Sequence, residues 1–186
     1  MNTAERPMRE RILQVALELF TERGFDGTSL REIAEKLDVT KAALYYHFKS
    51  KDALLLSLVH DWRGQTMGLV EWGRDQPFST ELQREMLRRL GALLTGNSKT
   101  MRLMFENQPV IRALLEREAE SSGIPHKMWI FELISVITPP EADARTRALV
   151  RTAVFGLTTS TMQPGTSPED YSASLEVALQ VLALGE

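Results

Sequence analysis

The sequence predicts an all-α protein of about nine helices, in which a three-helix unit precedes a larger helical domain. Three observations lead to this prediction. Apolar residues recur at i, i+3, i+4 and i+7 through most of the chain, which is the spacing of one helix face. Capping residues and prolines precede these stripes, at the positions where helices begin. The few clusters of β-branched residues lie within helical stripes, so no segment has the pattern of a strand.

The first helix is predicted from about Met8 to Arg23. Its apolar stripe consists of Ile12, Ala16, Leu19 and Phe20. Gly24 is expected to end this helix, because glycine adopts a left-handed conformation at low cost. Phe25 is expected to fill the small core of the three-helix unit.

Two short helices joined by a tight turn are predicted over residues 29–48. Ser29 and Glu32 have the spacing of a capping box, which marks a helix start, and an apolar stripe continues to Leu37. Thr40 is the expected N-cap of the second helix, which ends at Phe48. A helix, a turn of three or four residues and a second helix form the arrangement that places the second helix in a DNA major groove.

The second helix has an unusual outward surface. No acidic residue occurs between Val39 and Lys51, a stretch that includes basic residues and two adjacent tyrosines, Tyr45 and Tyr46. Exposed aromatic side chains are uncommon without a partner, and phosphate contacts by tyrosine hydroxyls and lysines would explain them. The alternative is a helical hairpin whose tyrosines pack on a neighbouring helix.

Residues 24–34 (GFDGTSLREIA) and 39–54 (VTKAALYYHFKSKDAL) resemble the DNA-binding domain of the tetracycline-repressor (TetR) family. The resemblance covers roughly residues 7–60, and the rest of the chain is similar to the family only in length, helicity and layout. One departure is Asp38, which stands where the family usually has glycine; aspartate tolerates positive φ better than most residues. The resemblance implies a helix-turn-helix domain at residues 1–50 and a helical effector-binding and dimerisation domain at residues 51–186.

Nine residues are candidates for DNA contact. The resemblance implies that Arg31 can reach a base edge; the alternative is a solvated ion pair with Glu35, four residues along the helix. The base-reading candidates are Lys41, Ala42, Ala43 and Tyr45. Alanine methyl groups can contact a thymine methyl and permit close approach. The phosphate-positioning candidates are Thr40, Tyr46, His47 and Lys51.

Charge and composition limit the possible functions. The net charge is −3, and residues 1–51 hold nine Lys/Arg against eight Asp/Glu, a balance of only +1. DNA binding would therefore depend on the local basic stretch and on orientation, with strong salt dependence through few phosphate contacts. The absence of cysteine excludes disulfides and thiolate metal sites. Without a signal peptide or an apolar run of about 20 residues, a cytoplasmic location is expected.

A long helix is predicted from Ser50 to about Trp72. Its apolar residues lie on two sides, so it is expected to pack against two bodies and to link the DNA-binding unit mechanically to the rest of the chain. Later helices are predicted at about 79–94, 100–107, 109–120, 126–137, 141–162 and 168–184.

The last two helices, at about 141–163 and 168–184, are predicted to form a homodimer. Gly156 and the threonines and serine that follow it make a small-residue face. The stripe expected to face a second copy consists of Tyr171, Leu175, Ala178 and Leu182, with Val177, Val181 and Leu184 beside it. The alternative is packing of both helices within one chain. Family resemblance favours a two-fold dimer, which would present two recognition helices to a palindromic operator.

The middle helices are rich in Met, Phe and Trp and can line an adaptable apolar pocket, although such residues are more often plain core. The ligand-binding candidates are Trp62, Met101, Met104, Phe105, Trp129, Phe155 and Met162. If a pocket exists, a small, largely apolar ligand would favour a dimer arrangement that no longer matches the operator, releasing the DNA.

Catalytic residues, metal ligands and cofactor motifs are not found in the sequence. Its three histidines occur in unrelated contexts, and it contains no nucleophile motif and no glycine-rich phosphate loop. The expectation is a DNA-binding transcriptional regulator, most often a repressor in the TetR family. The alternatives are a helical small-molecule-binding protein without operator function and, less favoured, an enzyme that uses an apolar cavity.

Overall fold

The computed structural model describes residues 7–122, 129–160 and 166–185, and these residues form ten helices and no strand. The predicted all-α class is confirmed, and each of the ten helices corresponds to a segment predicted above, although the total was given as about nine. The helices are α1 Met8–Arg23, α2 Leu30–Lys36, α3 Lys41–His47, α4 Lys51–Arg74, α5 Thr80–Gly96, α6 Ser98–Glu106, α7 Gln108–Ser122, α8 Trp129–Ile137, α9 Ala144–Ser160 and α10 Pro168–Ala183.

The described residues divide into two compact units. The first contains residues 7–61 and 102–122, and the second contains residues 62–101, 129–160 and 166–185. The predicted helix-turn-helix domain lies within the first unit, whose core also includes Leu103, Ile111 and Leu114 from α6 and α7. The helix α4 contributes its first eleven residues, 51–61, to the first unit and its remainder to the second.

Hydrogen bonds to capping side chains confirm most of the predicted helix starts. The Ser29 hydroxyl accepts a hydrogen bond from the Glu32 amide, and the Glu32 carboxylate accepts one from the Ser29 amide, so the capping box is complete. Ser167 and Asp170 form the same reciprocal pair at α10. The hydroxyls of Thr40, Ser50 and Ser79 likewise accept from backbone amides in the first turns of α3, α4 and α5.

The turn between α2 and α3 contains Asp38 in a left-handed conformation, with φ of 55°. Among the described residues it is the only non-glycine residue with positive φ. Asp38 donates its backbone N–H to the Glu35 carbonyl, and Val39 donates to the Ala34 carbonyl. Asp38 therefore adopts the positive φ expected for this turn, a conformation that glycine adopts at the lowest cost.

The predicted start of α9 was wrong by three residues. The prolines after Thr138 do not open the helix; residues 139–142 form a turn, and α9 begins at Ala144. The cap is Asp143, whose carboxylate accepts the Thr146 N–H at 2.7 Å, and this hydrogen bond lowers the pKa of Asp143. The predicted end of this helix and the predicted start of α8 at His126 lie outside the described residues.

In the second unit, α10 packs along α9 and also contacts α5. Ala178 and Leu182 are buried within the chain. The Leu175 side chain packs over Gly91 of α5, since a Cβ added at Gly91 would lie 3.5 Å from it. Thr158 is also buried and donates its hydroxyl to the Val154 carbonyl. The stripe expected to face a second copy therefore packs inside its own chain, which is the alternative interpretation. Among the described helices, none has the length and apolarity needed to cross a bilayer.

Candidate nucleic-acid interface

The helix α3 is anchored by one apolar face. Leu44 is fully buried, and Phe48, its C-cap residue, is 4% exposed; both belong to the core cluster of the first unit. The opposite face is exposed along its whole length, and it consists of Lys41, Ala42, Ala43, Tyr46 and His47. This is the helix predicted to enter a major groove, and five of its seven residues are available to a partner.

Tyr46 is the most exposed of the large hydrophobic residues that the structure describes, at 80%. Its ring meets the ring of His47 edge to face, with centroids 5.3 Å apart and an interplanar angle of 88°. The neighbouring His47 is also exposed. The two side chains thus form an aromatic, hydrogen-bonding projection at the C-terminal end of α3.

Tyr45 differs from the prediction that it points largely outward. It is half-buried and packs against the core cluster of the first unit. The Lys41 Nζ lies 5.4 Å from the centroid of its ring, within the range of a cation–π contact. The ring therefore holds the Lys41 side chain along the exposed surface of α3, and its own access to a base edge is reduced.

Both ends of α3 are closed by side chains. The Thr40 Oγ1 accepts the Ala43 N–H at 3.1 Å, and the Lys49 Nζ donates to the Tyr45 carbonyl at 2.8 Å. From the sequence, Lys49 was considered only as part of a basic stretch. Its position just past the C-terminus of α3 could have predicted this contact, because such side chains commonly satisfy the last carbonyls of a helix.

Lys51 has a structural role that was not predicted. Its Nζ donates to the Phe25 carbonyl at 2.7 Å and to the Asp26 carbonyl at 3.3 Å, and it lies 4.6 Å from the centroid of the Phe25 ring. The ammonium group therefore ties the start of α4 to the loop between α1 and α2. No local pattern could indicate this contact, because the partners are 25 and 26 residues apart.

Arg31 forms the ion pair given above as the alternative to DNA contact. Its Nε lies 2.7 Å from the Glu35 Oε1, and the hydrogen bond to that carboxylate raises the pKa of Arg31. Both side chains are exposed, so the pair contributes little to stability and can be exchanged for a phosphate or base. The pKa of Glu32 is lowered by hydrogen bonds from the Ser29 hydroxyl and amide, then by Arg23.

The ligand-binding candidates are divided between the two units. In the second unit, Trp62 and Trp129 meet edge to face with centroids 5.6 Å apart, Met101 is buried, and Phe155 is 37% exposed. Met104 packs on the core of the first unit, and Phe105 is 50% exposed. Met162 lies outside the described residues. Their role in ligand binding stays a prediction.

The N–H of the Trp62 indole is a buried donor that lacks an acceptor. The residue is 1% exposed, and its Nε1 has no hydrogen-bond acceptor among the described residues. A buried N–H without an acceptor is destabilising.

With regard to metals, the described residues contain no cluster of three or more His, Asp or Glu side chains that could hold an ion.

Comparisons with known proteins point to one family. Residues 12–58 match the sequence model of "Bacterial regulatory proteins, tetR family". The "Probable HTH-type transcriptional regulator YttP" of Bacillus subtilis (strain 168) is 29% identical over 128 residues, which are 68% of this chain and 62% of that protein. The biofilm operon icaADBC HTH-type negative transcriptional regulator IcaR of Staphylococcus aureus (strain Newman) is 47% identical over 47 residues, 25% of each chain. The chain thus spans less than two thirds of the length of these curated relatives.

The fold comparison extends beyond the N-terminal unit. A crystal structure of a transcriptional regulator (TerR/AcrR family) from Aquifex aeolicus VF5 superposes with a TM-score of 0.74 and 20% identity, covering 96% of this chain and 99% of that one. The helix-turn-helix geometry, the residues matched by the family model and the shared overall fold agree with one another. The N-terminal unit thus carries, at residues 12–58, the helix-turn-helix domain of the tetR family of bacterial regulatory proteins.

Proposed function

We propose that this protein is a transcriptional regulator that binds operator DNA through the outward face of α3. The observation that carries the proposal is the combination on that face of an exposed Tyr46, two alanines that allow close approach, and flanking lysines without any acid between residues 39 and 51. Tyrosine hydroxyls and ammonium groups suit phosphate oxygens, whereas alanine methyls suit a thymine methyl. The buried Leu44 and Phe48 give this surface a rigid base.

A homodimer would present two copies of α3 to a palindrome. The outward faces of α9 and α10 include apolar or small residues that no part of the described chain covers, namely Phe155, Gly156, Val177 and Leu184. The exposed charges of the two helices are opposite: Arg145, Arg147 and Arg151 lie on α9, and Glu169, Asp170 and Glu176 lie on α10. A two-fold axis that brings α9 of one protomer towards α10 of its partner would join these complementary surfaces.

An effector in the second unit would reach the Trp62 indole. Its unsatisfied N–H, beside the edge-to-face Trp129 ring, suits a largely apolar molecule that carries a hydrogen-bond acceptor. Entry would require a local opening, because Trp62 is buried. We infer that the bound form favours a dimer arrangement mismatched to the operator, with α4 carrying the shift because it contributes residues to both units.

Repression is the favoured outcome of operator binding. IcaR, which matches the N-terminal unit, is named as a negative regulator, and a dimer seated on an operator can block transcription without further chemistry. The same account makes the protein a cytoplasmic regulator and no enzyme. The competing function is a helical small-molecule-binding protein that does not bind an operator.

Selection of bound sequences from a pool of random DNA duplexes tests the proposal. The expected product is an inverted repeat whose two half-sites are centred one helical turn apart, about 34 Å, or somewhat more. Its affinity should fall steeply as salt rises, since phosphate contacts release counterions. Failure to enrich any sequence at low salt would remove operator binding and favour the competing function.

A further inference from the structure

One cavity in the second unit has the features of a ligand site, and Trp62 is not among the residues that line it. Its volume is about 270 Å³. It is formed by the segment that precedes and opens α5, the turn between α8 and α9, the first half of α9 and the end of α10. The lining residues are Phe78, Thr80, Gln83, Pro139, Thr146, Leu149, Val150, Leu182 and Gly185. None of these residues carries a charge.

The cavity has an apolar floor and a more open rim. Val150 and Leu182 are 1% and 7% exposed, whereas Phe78 is 41% exposed. This gradient places the buried side chains at the base and Phe78 at the opening. An apolar wall of this kind favours an apolar body over water.

One buried polar group gives the cavity its specificity. Gln83 is 8% exposed, and its Nε2 donates to the Ile137 carbonyl at 2.7 Å. Because a carbonyl can only accept, this bond fixes the orientation of the amide and directs its Oε1 elsewhere. Among the described residues no donor reaches that Oε1, and Gln83 lines the cavity. The residue is largely buried, but its Oε1 is not among the fully buried polar atoms, so this oxygen is available to a molecule inside the cavity.

We propose that this cavity binds a small neutral molecule that has an apolar body and one O–H or N–H donor for the Gln83 Oε1, as in a phenol or a primary amide. The volume would hold about nine water molecules, which suits a single-ring compound better than a drug-sized one. The absence of charge from the lining disfavours an ion, because nothing would offset its desolvation. The proposal requires no DNA binding, so it survives or fails independently of the operator.

Titration calorimetry on the full chain with phenol and with toluene tests the site. Phenol has a donor for the Gln83 Oε1, and toluene has nearly the same shape without one. Wild-type protein should bind phenol about 3- to 10-fold more tightly than toluene, which is the value of one net hydrogen bond. Equal affinities would show that the Gln83 Oε1 takes no part in binding, and no heat for either compound at millimolar concentration would show that the cavity holds water only; either result would overturn the proposal.

Two variants and one control locate the binding. Gln83→Met keeps the approximate shape and should remove the preference for phenol over toluene. Leu149→Phe leaves the amide intact and fills part of the cavity, so it should weaken the binding of both compounds. This variant keeps the test decisive if Gln83→Met does not fold. Gln76→Met is the matched control, because the exposed Gln76 also donates its amide to a backbone carbonyl, that of Trp72. Phenol binding that survives both cavity variants, or that is lost equally in the control, would contradict the assignment.

Discussion

At the level of single residues, two lysines of one basic stretch have different surroundings. Lys51 donates to two backbone carbonyls and lies against the Phe25 ring, whereas Lys41 is exposed and touches only the Tyr45 ring among the contacts described. Both were candidates for DNA contact. The structure makes Lys51 a stabilising residue of the helix-turn-helix unit in addition, and Lys41 the freer of the two to meet a base.

Replacing Lys51 by Met is expected to lower the stability of the protein. The substitution removes the charge-assisted hydrogen bonds to Phe25 and Asp26, and we expect a loss of about 1 to 2 kcal/mol in the free energy of unfolding. Urea titration followed by circular dichroism measures this. Lys99→Met, at an exposed position in the first turn of α6, is the control and should change little. Equal midpoints for Lys51→Met and wild type would show that the contact has no net value.

Lys41→Ala and Tyr46→Phe should affect DNA binding in different ways. We expect Lys41→Ala to change which sequence is selected, because we propose that its ammonium group reads a base edge. Tyr46→Phe removes only a hydroxyl and should weaken binding about 3- to 10-fold on every duplex alike. Repeating the selection and measuring affinities on matched and scrambled duplexes separates the two. An unchanged sequence preference for Lys41→Ala would count against its base-reading role.

At the level of elements, α3 is a helix of seven residues that cannot rely on its own length. Helices this short are marginal in water, so α3 depends on tertiary packing and on its caps. Leu44 and Phe48 supply the packing, and Thr40 and Lys49 satisfy backbone groups at the two ends. The surface that would contact DNA is therefore held from beneath and from both ends.

Thr40→Ala is expected to destabilise α3. Loss of an N-cap hydroxyl typically costs about 1 kcal/mol, and hydrogen exchange of the Ala43 amide should accelerate because its acceptor is gone. Thr40→Ser keeps the hydroxyl and should restore both the stability and the exchange rate. If Thr40→Ser behaved like Thr40→Ala, the cap would not be the reason for the loss.

The elements also show where sequence reasoning succeeds and where it does not. The starts of α2, α3, α5 and α10 were predicted correctly because each is set by a local hydrogen bond from a Ser or Thr cap. The start of α9 was missed because Thr138 bonds back to the Ile134 carbonyl and leaves Asp143 as the cap. The inward direction of the α10 stripe was missed because it depends on packing partners in other helices, α5 and α9, which no pattern within α10 can indicate.

The sequence also predicted some features of the candidate site and missed others. The face formed by Lys41, Ala42 and Tyr46 follows from helical spacing alone, and the structure leaves it exposed as predicted. The burial of Tyr45 and the anchoring of Lys51 depend on side chains from other helices, so no local pattern could indicate them. The prediction of an apolar effector pocket rested on residue types without positions, and its members are distributed over both units.

At the level of the whole molecule, the charge balance makes the proposed dimerisation central to the proposed DNA binding. The net charge is −3, and residues 1–51 carry a balance of only +1. One α3 offers few phosphate contacts, so bulk attraction to DNA is weak. Two copies of α3 on one palindrome would multiply the contacts, and the second copy would bind at a high effective concentration once the first is seated.

Val177→Glu is expected to dissociate the proposed homodimer. Val177 is 56% exposed on the outward face of α10, and a buried carboxylate without a partner would disfavour the interface. Sedimentation velocity should show a shift from dimer to monomer, with tenfold or larger weakening of binding to the palindrome expected from the lost second site. Gln76→Glu adds the same charge at an exposed position before α5 and should stay dimeric. A fully dimeric Val177→Glu would place the interface elsewhere.

Native mass spectrometry of the protein with its selected duplex tests the central claim most directly, because it counts chains on DNA. The account predicts two chains per intact palindrome, a sharp loss of the complex when one half-site is scrambled, and a further loss with Tyr46→Phe. One chain per duplex, or the same occupancy on intact and scrambled sites, would contradict a dimer that reads DNA through α3.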